Sequence, residues 1–427
     1  MSEDKGYPSR GVSRRGFLTV AVSAIVAGVV AGVGAYYAGT LAAPVKEVVK
    51  EVTRTVTSTT TLAPGAPVTS TVTVTPPPTT VTKTVTTTVT ATATPTPITT
   101  TPREIVEAAK KEGRLVIYSP VPEPQQEALT KAFNKIFPEI VIEHYRASPG
   151  KVYEKFRTEA EAGKVACDLV HGPDHSVIAT VFKEKGWLQP YVVQEIDKLV
   201  LKEPSGYWTH IYFYVLVFAY NSKLLTPDQA PKSWMDFVDP RWKGKISAPM
   251  DPRVGGGIAA KWDVWVNVFG MDYIRKLPEQ NILETASWPA SLEQIVKGEA
   301  LWGETWQNNP YDLIIKTGAP LGVIIPKEGT FRSPGTYAIA KDAPHPNAAK
   351  LYLDWLVSED GQKNLAEARG VFPLRRGVVV KPMLEVLGLY PEIKSIEDVK
   401  EIYRIDWLKL SGTLQEYVKI YDELFRK

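Results

Sequence analysis

The chain has 427 residues, 44% hydrophobic and 23% charged, with a formal net charge of +3 and a single Cys. That hydrophobic share excludes a wholly disordered chain, and one Cys excludes both a disulfide framework and a multi-Cys zinc site. The near-balanced charge, with Lys and Arg interleaved with Asp and Glu, gives no case for nucleic acid.

These averages cover three unlike segments. Residues 1–45 begin polar and turn apolar after Ser13-Arg14-Arg15-Gly16-Phe17-Leu18. From Gly16 to Val45 no side chain is charged, which exceeds the roughly 20 apolar residues needed to span a bilayer. The Arg pair places the N-terminus on the cytoplasmic side. The paired Arg, the Phe-Leu and the Gly/Ala-rich stretch resemble a twin-arginine export signal. Ala38 to Pro44 offers only a loose cleavage pattern, so the segment is read as an uncleaved membrane anchor.

Residues 46–102 form a Thr/Val/Pro-rich stalk. Of residues 51–102, 24 of 52 are Thr, and Pro76, Pro77 and Pro78 stand together. Without aromatic side chains such a stretch cannot offset its ordering entropy by burial. Thr with Pro in this density is similar to O-glycosylated surface stalks. Extended at about 3.1 Å per residue, it reaches on the order of 150 Å.

The remaining 325 residues, 103–427, hold all 11 Trp. Leu115 to Ser119 predicts a buried strand, and Glu123-Pro124 opens a helix carrying Leu129, Phe133 and Ile136 on one face. Val141 to Tyr145 predicts the next strand. Ser148-Pro149-Gly150 opens a helix with Val152, Phe156 and Ala160, and Asp168 to Val170 predicts a third strand. Further on, Lys245 to Ala248, Ala300 to Trp302 and Tyr337 to Lys341 predict short strands. Gly255 to Gly257 and Ser291 to Gln294 predict helix starts, the latter as a capping box, and Pro344 to Leu356 predicts a helix. The βαβα order predicts an α/β fold with a mostly parallel sheet, repeated in two lobes around a cleft. Trp262, Trp265 and Trp355 are expected in the core, and Cys167 as a buried thiol.

An ordered set of short motifs then carries a resemblance. It runs Gly206-Tyr207-Trp208-Thr209, Phe218-Ala219-Tyr220-Asn221-Ser222, Pro231-Lys232-Ser233-Trp234 and Asp239-Pro240-Arg241-Trp242-Lys243-Gly244-Lys245. Gly318-Ala319-Pro320, Pro326-Lys327-Glu328-Gly329-Thr330, Ala343-Pro344-His345-Pro346-Asn347 and Ser358-Glu359-Asp360-Gly361-Gln362 follow. From about Gly113 to Arg376 the chain resembles the extracellular solute-binding proteins of ABC importers, in the branch that includes ferric-iron-binding proteins. The resemblance implies a two-lobed, type II periplasmic-binding-protein-like fold. Lobe one would be about 103–212 and 339–427, and lobe two about 213–338. The crossings would lie near Phe213 to Tyr220 and Gly335 to Ala340. It implies a monomer with no enzymatic activity and no cofactor, and the N-terminal segment would anchor or export it to the extracellular face of the membrane. Its partners would be a small-molecule solute and a permease and ATPase carried by other chains.

Ligands of open α/β sheets bind beyond the strands' carboxyl ends, where helix N-termini favour anions. This selects Ser119, Ser148, Gly150, His171 and Asp174 in lobe one, and Ser287, Trp288, Ser291, Glu304, Trp306 and Tyr311 in lobe two. Arg332 joins them near the second crossing. His171 and His175 are four apart, but Gly172-Pro173 breaks a continuous helix, so no metal pair is predicted. Iron-binding members carry an adjacent Tyr pair in lobe two, where this chain reads Trp306-Gln307-Asn308-Asn309-Pro310-Tyr311. The expected ligand is therefore a small anionic solute. Ser119, Ser148 and Ser291 would be its donors, Arg332 its counter-charge, and Trp288 or Trp306 its packing surface. A ferric-ion carrier and a cell-surface adhesion or envelope protein are the alternatives. An enzyme is disfavoured by the lack of a nucleophile elbow, a His-Glu-x-x-His motif or a P-loop.

Overall fold

The computed structural model describes residues 100–172 and 175–426. The expected signal segment, and all of the expected stalk except residues 100–102, lie outside them. Among the described residues no helix is long and apolar enough to cross a membrane.

Lobe one is a sheet clothed by helices on both faces. Helix α1 (Arg103–Glu112) ends at Gly113, whose φ of 64° is the left-handed cap that glycine adopts without strain. Strand β1 (Arg114–Ser119) leads to α2 (Glu123–Asn134), with Pro124 in its first turn. Then come β2 (Val141–Arg146), α3 (Pro149–Glu161), β3 (Leu169–Gly172) and the short β4 (Leu188–Gln189). The long β5 (Thr209–Asn221) leaves this lobe for the other.

Lobe two holds β6 (Ser247–Ala248), α4 (Gly256–Val264), α5 (Gly270–Lys276), β7 (Leu283–Glu284) and α6 (Trp288–Lys297). After these come β8 (Trp302–Trp306), α7 (Asn308–Thr317) and β9 (Leu321–Ile324). Strand β10 (Arg332–Ala340) returns to lobe one, followed by α8 (Pro346–Val357), α9 (Glu359–Arg369), β11 (Phe372–Pro373), α10 (Lys381–Val386) and α11 (Trp407–Phe425).

The central strand order is β11-β5-β10-β3-β1-β2. Only β1 with β2 and β1 with β3 are parallel there, while β10 runs antiparallel to both β3 and β5. The sheet is thus mixed, not mostly parallel, because two strands link the lobes in opposite directions. The first half of β5 pairs with β10 and β11, and the second half, from Leu216, pairs with β8 and β9. In β10, Thr336 to Ile339 already pair with β3. That link therefore reaches lobe one earlier than the sequence expectation of Gly335 to Ala340.

Two apolar layers flank the lobe-one sheet. One gathers Leu115, Ile117, Phe133, Tyr352 and Trp355; the other gathers Tyr118, Val152, Phe156, Val170, Phe182 and Cys167. The lobe-two core is aromatic, built on Phe218, Trp234, Phe237, Trp262, Trp265 and Trp302. A fully buried Trp at about 25 cal/mol per Å² supplies roughly 4–6 kcal/mol of transfer free energy before entropy is charged. Helix α11 packs Trp407, Leu410, Tyr417 and Tyr421 into this same core. The expected boundaries put residues 339–427, and so this helix, in lobe one. Its aromatic stripe instead completes the cover of α4.

Chain entry is fixed on lobe one. Buried Asp354 accepts hydrogen bonds from Thr101 Oγ1 (2.9 Å), Tyr191 Oη (2.7 Å) and the Gln194 amide (3.0 Å).

Candidate functional site

Because β1 and β3 are parallel, Ser119 and Gly172 end side by side at the edge facing lobe two. Ser119 Oγ lies 2.8 Å from His171 Nδ1 and accepts from the Val121 amide at 3.1 Å. His171 Nε2 lies 3.0 Å from Tyr212 Oη. Its ring stacks on Tyr337, centroids 4.1 Å apart and planes 13° from parallel. Ser119 and His171 are both fully buried.

Burial first, and the neighbouring Arg369 charge second, hold the His171 imidazole well below its ordinary pKa of 6.5. His171 is therefore neutral in the folded protein. The unfolded chain takes up a proton at this residue as pH drops below 6.5, and the folded protein does so only at lower pH. Stability is full above pH 6.5 and declines below it, by about 1.4 kcal/mol per pH unit for one proton. Urea unfolding at pH 7, 6 and 5 should show this slope, and His171→Gln should flatten it by that amount. Equal slopes in the two proteins would refute the assignment.

Arg369 ends helix α9 beside this cluster and is only 4% exposed. Its Nη2 donates to Tyr214 Oη at 2.7 Å, and its guanidinium lies 4.4 Å from the Tyr212 ring centroid. Nε and Nη1 have no acceptor, and no carboxylate pairs with this residue among the described residues. Tyr337 Oη also has no hydrogen-bond partner among the described residues. The C-terminal dipole of α9 is favourable for a cation, but it leaves two buried guanidinium nitrogens unsatisfied. Gly370 caps the helix at φ 61°, and a Cβ there would lie 2.4 Å from the Tyr311 ring.

The facing wall comes from lobe two. Ser287 caps α6 by accepting from the Ala290 amide at 3.3 Å, which sets Trp288 in the first turn. Trp306 ends β8. The Trp288 and Trp306 rings are 5.4 Å apart, and Trp306 is 6.0 Å from Tyr214. Gly257 lets them approach, since a Cβ there would lie 2.7 Å from Trp288 and 2.8 Å from Trp306. Behind this wall Lys261 and Glu304 form a fully buried ion pair at 2.5 Å. Gln307 ties the wall to lobe one: its Oε1 accepts from the Val215 amide (2.6 Å) and its Nε2 donates to the Gly370 carbonyl (2.9 Å). Gln125 of α2 donates to Asp312 of α7 at 2.9 Å.

The structure thus brings Ser119 and His171 to one side, and Trp288 and Trp306 to the other. Glu304 lies behind the tryptophans. Tyr311 is buried in the lobe-one core, its hydroxyl donating to the Glu367 carbonyl at 2.9 Å. Ser148 and Gly150 are exposed at the start of α3, and Ser148 makes no side-chain cap bond. Ser291 is buried inside α6, 2.6 Å from Thr285 Oγ1; the helix starts at Trp288 because Ser287, not Ser291, is its cap. Arg332 projects from the other face of β10 and donates to the Val399 carbonyl. Asp174 lies outside the described residues. Among the described residues no three His, Cys, Asp or Glu side chains gather as a metal-binding group. Arg369 went unnoticed in the sequence because an Arg before a Gly reads as an ordinary helix end. Its partners, Tyr212 and Tyr214, alternate on one face of a strand about 155 residues away.

A family profile described as bacterial extracellular solute-binding protein matches residues 171–386. An uncharacterized protein of Haemophilus influenzae is 30% identical over 269 residues, which are 60% of this chain and 76% of the relative. Among solved structures, a Trichodesmium protein (IdiA, FutA) in complex with iron and citrate superposes with a TM-score of 0.59 at 18% identity. The match covers 74% of this chain and 100% of that one. The periplasmic binding protein AfuA of Actinobacillus pleuropneumoniae, with fructose-6-phosphate bound, superposes with a TM-score of 0.55 at 23% identity. Here the coverage is 74% and 99%.

Proposed function

This chain belongs to the bacterial extracellular solute-binding protein family, and from that premise we propose that it captures a small organic anion between its two lobes. Solute-binding components of ABC importers do no chemistry on the solute; they select it and present it to a permease. Arg369 carries the anion reading. It is a buried guanidinium with two nitrogens, Nε and Nη1, unpartnered, and no carboxylate pairs with it among the described residues. An isolated buried charge costs several kcal/mol, and an anion in the cleft would supply its missing acceptors. Tyr337 offers a further hydroxyl, and Trp288, Trp306 and Tyr214 an apolar wall for the ligand's body; the neutral His171, with both ring nitrogens engaged by Ser119 and Tyr212, holds these side chains in place.

Strands β5 and β10 serve as the hinge. Lobe one would be the sheet β2-β1-β3 with its helices, and lobe two the β6 to β9 region with α11 added. Ligand contacts made to both lobes favour the closed form, which is the form handed to the permease. The twin-arginine-like segment 1–45 and the stalk 46–102 hold the domain, as a monomer, at the outer face of the membrane. There the stalk raises its effective concentration at the permease.

A thermal-unfolding screen of the protein tests this, with citrate, fructose 6-phosphate, a simple alkylphosphonate, inorganic phosphate and ferric chloride as probes. The expected result is a rise of a few degrees with at least one organic anion and no visible absorption band with iron. A visible band on adding ferric ion, with no response to any anion alone, would favour the ferric-ion reading instead.

A further inference from the structure

The hinge ribbon has two faces, and the cleft uses one of them. Pairing of Ser333 with Tyr214 and of Arg332 with Val215 sets Arg332 and Phe213 on the face opposite Tyr214. Behind that face lies a cavity of about 530 Å³, within the usual range for small-molecule sites. Phe213, Arg332, Pro334, Glu401, Arg404 and Trp407 are among its walls. It shares no lining residue with Ser119, His171, Trp288, Trp306 or Arg369.

Its chemistry is that of an aromatic pocket lined by two arginines, Arg332 and Arg404. The Arg332 guanidinium lies 5.6 Å from the Phe213 ring centroid, and its Nη2 donates to the Val399 carbonyl. Its Nε is buried without a partner, and no carboxylate forms an ion pair with it among the described residues. Trp407, 8% exposed, forms another apolar wall. Of the two acids at the rim, Asp406 is already engaged. It accepts from the Leu408 and Lys409 amides at the start of α11 and pairs with Lys409 Nζ at 3.2 Å. Glu401 stays at the exposed edge.

We infer that this cavity is a second binding site, separate from the cleft, for a small monocarboxylate with an aromatic or apolar body. The carboxylate would meet Arg332 Nε, and the body would lie between Phe213 and Trp407. The walls make the site sensitive to hinge angle. Two come from β5 and β10. Another is the segment 401–408, which pairs with the hinge through Thr330 (Ile402 amide to Thr330 carbonyl, 2.9 Å) and continues into α11 on lobe two. An occupant fitting one hinge angle better than the other changes cleft affinity, and the cleft ligand changes its affinity by the same factor.

Benzoate is the probe. Isothermal titration of the full chain, its Arg332→Gln variant and its Arg369→Gln variant separates this site from the cleft. Benzoate should bind wild type and Arg369→Gln alike, and at least about tenfold more weakly in Arg332→Gln. Leu408→Trp guards against misfolding as the cause of that loss. Leu408 lines the cavity yet is 46% exposed, so a larger ring there should block benzoate without disturbing the fold. Benzoate binding that survives both Arg332→Gln and Leu408→Trp overturns the inference. So does binding abolished by Arg369→Gln, which would place benzoate in the cleft, or no binding to wild type at millimolar concentration. None of these outcomes overturns the anion reading of the cleft, and loss of benzoate binding in Arg369→Gln would support it.

Discussion

Arg369→Gln should weaken binding of the cleft anion by about thirtyfold or more, roughly 2 kcal/mol, while the ligand-free protein unfolds at the same or a higher temperature. The two signs follow from one feature. Arg369 is 4% exposed, and among the described residues its Nη2 has an acceptor, the Tyr214 hydroxyl, whereas Nε and Nη1 have none. Without ligand, the charge stays desolvated with Nε and Nη1 unpaired, and that cost is several kcal/mol. Glutamine keeps polar reach toward Tyr214 and removes the charge, so the empty protein is relieved. With the anion bound, the guanidinium is the principal counter-charge, and truncating one partner of a buried charge pair costs about 2–5 kcal/mol. A purely structural Arg369 predicts the reverse: its stacking on Tyr212 and its bond to Tyr214 would be lost, stability would fall, and affinity would follow only through unfolding. Calorimetric unfolding without ligand, paired with titration of whichever anion raises the melting temperature, distinguishes them. A destabilised variant with unchanged affinity would end the anion reading.

How much of this could be read from the sequence depends on the range of the interaction. Strand β1, helix α2 with Pro124 in its first turn, and helix α8 were legible because apolar period and turn chemistry are local. Trp262, Trp265 and Trp355 are fully buried, as expected of core tryptophans. The start of α6 was misplaced because Ser287 and Ser291 both look like caps, and only the backbone angles at Ser287 decide between them. The expectation that Arg332 is the counter-charge rests on its place beside a crossing. Which face of a ribbon a side chain takes depends on pairing register, and β10 turns Arg332 away from Tyr214. Arg369 could not be read at all, since its environment is assembled from α9, β5 and β10. The packing of α11 on lobe two was hidden for the same reason: its Tyr417 and Tyr421 mark an apolar stripe but not its recipient.

Lys261→Met alone should lower the unfolding free energy by about 3–5 kcal/mol, and Lys261→Met with Glu304→Leu should restore most of it. Both side chains are fully buried and 2.5 Å apart. Lys261 Nζ also donates to the Pro249 carbonyl at 2.7 Å and lies 4.6 Å from the Trp265 ring centroid. Burial pushes the Lys261 pKa down and the Glu304 pKa up, and each charge is sustained by the other. Removing the lysine strands a carboxylate whose Oε2 already lacks a partner. Glu304 would then stay protonated in the folded variant well above the usual carboxylate range, while the unfolded chain ionises near pH 4.5. Stability of the variant should therefore fall as pH rises through that window, and its deficit against wild type should shrink below pH 4.5. The double variant separates stability from shape. Lys261 lies one turn beyond Gly257 on α4, and Glu304 lies two residues before Trp306 on β8, so the pair fixes the register of the two elements that form the aromatic wall. An apolar pair can replace its energy without fixing that register. The double variant should then recover most of the wild-type stability yet bind the cleft anion several-fold more weakly, with altered tryptophan emission. Urea unfolding, emission spectra and titration of the same preparations decide it: a double variant with wild-type affinity would show that the pair contributes stability alone.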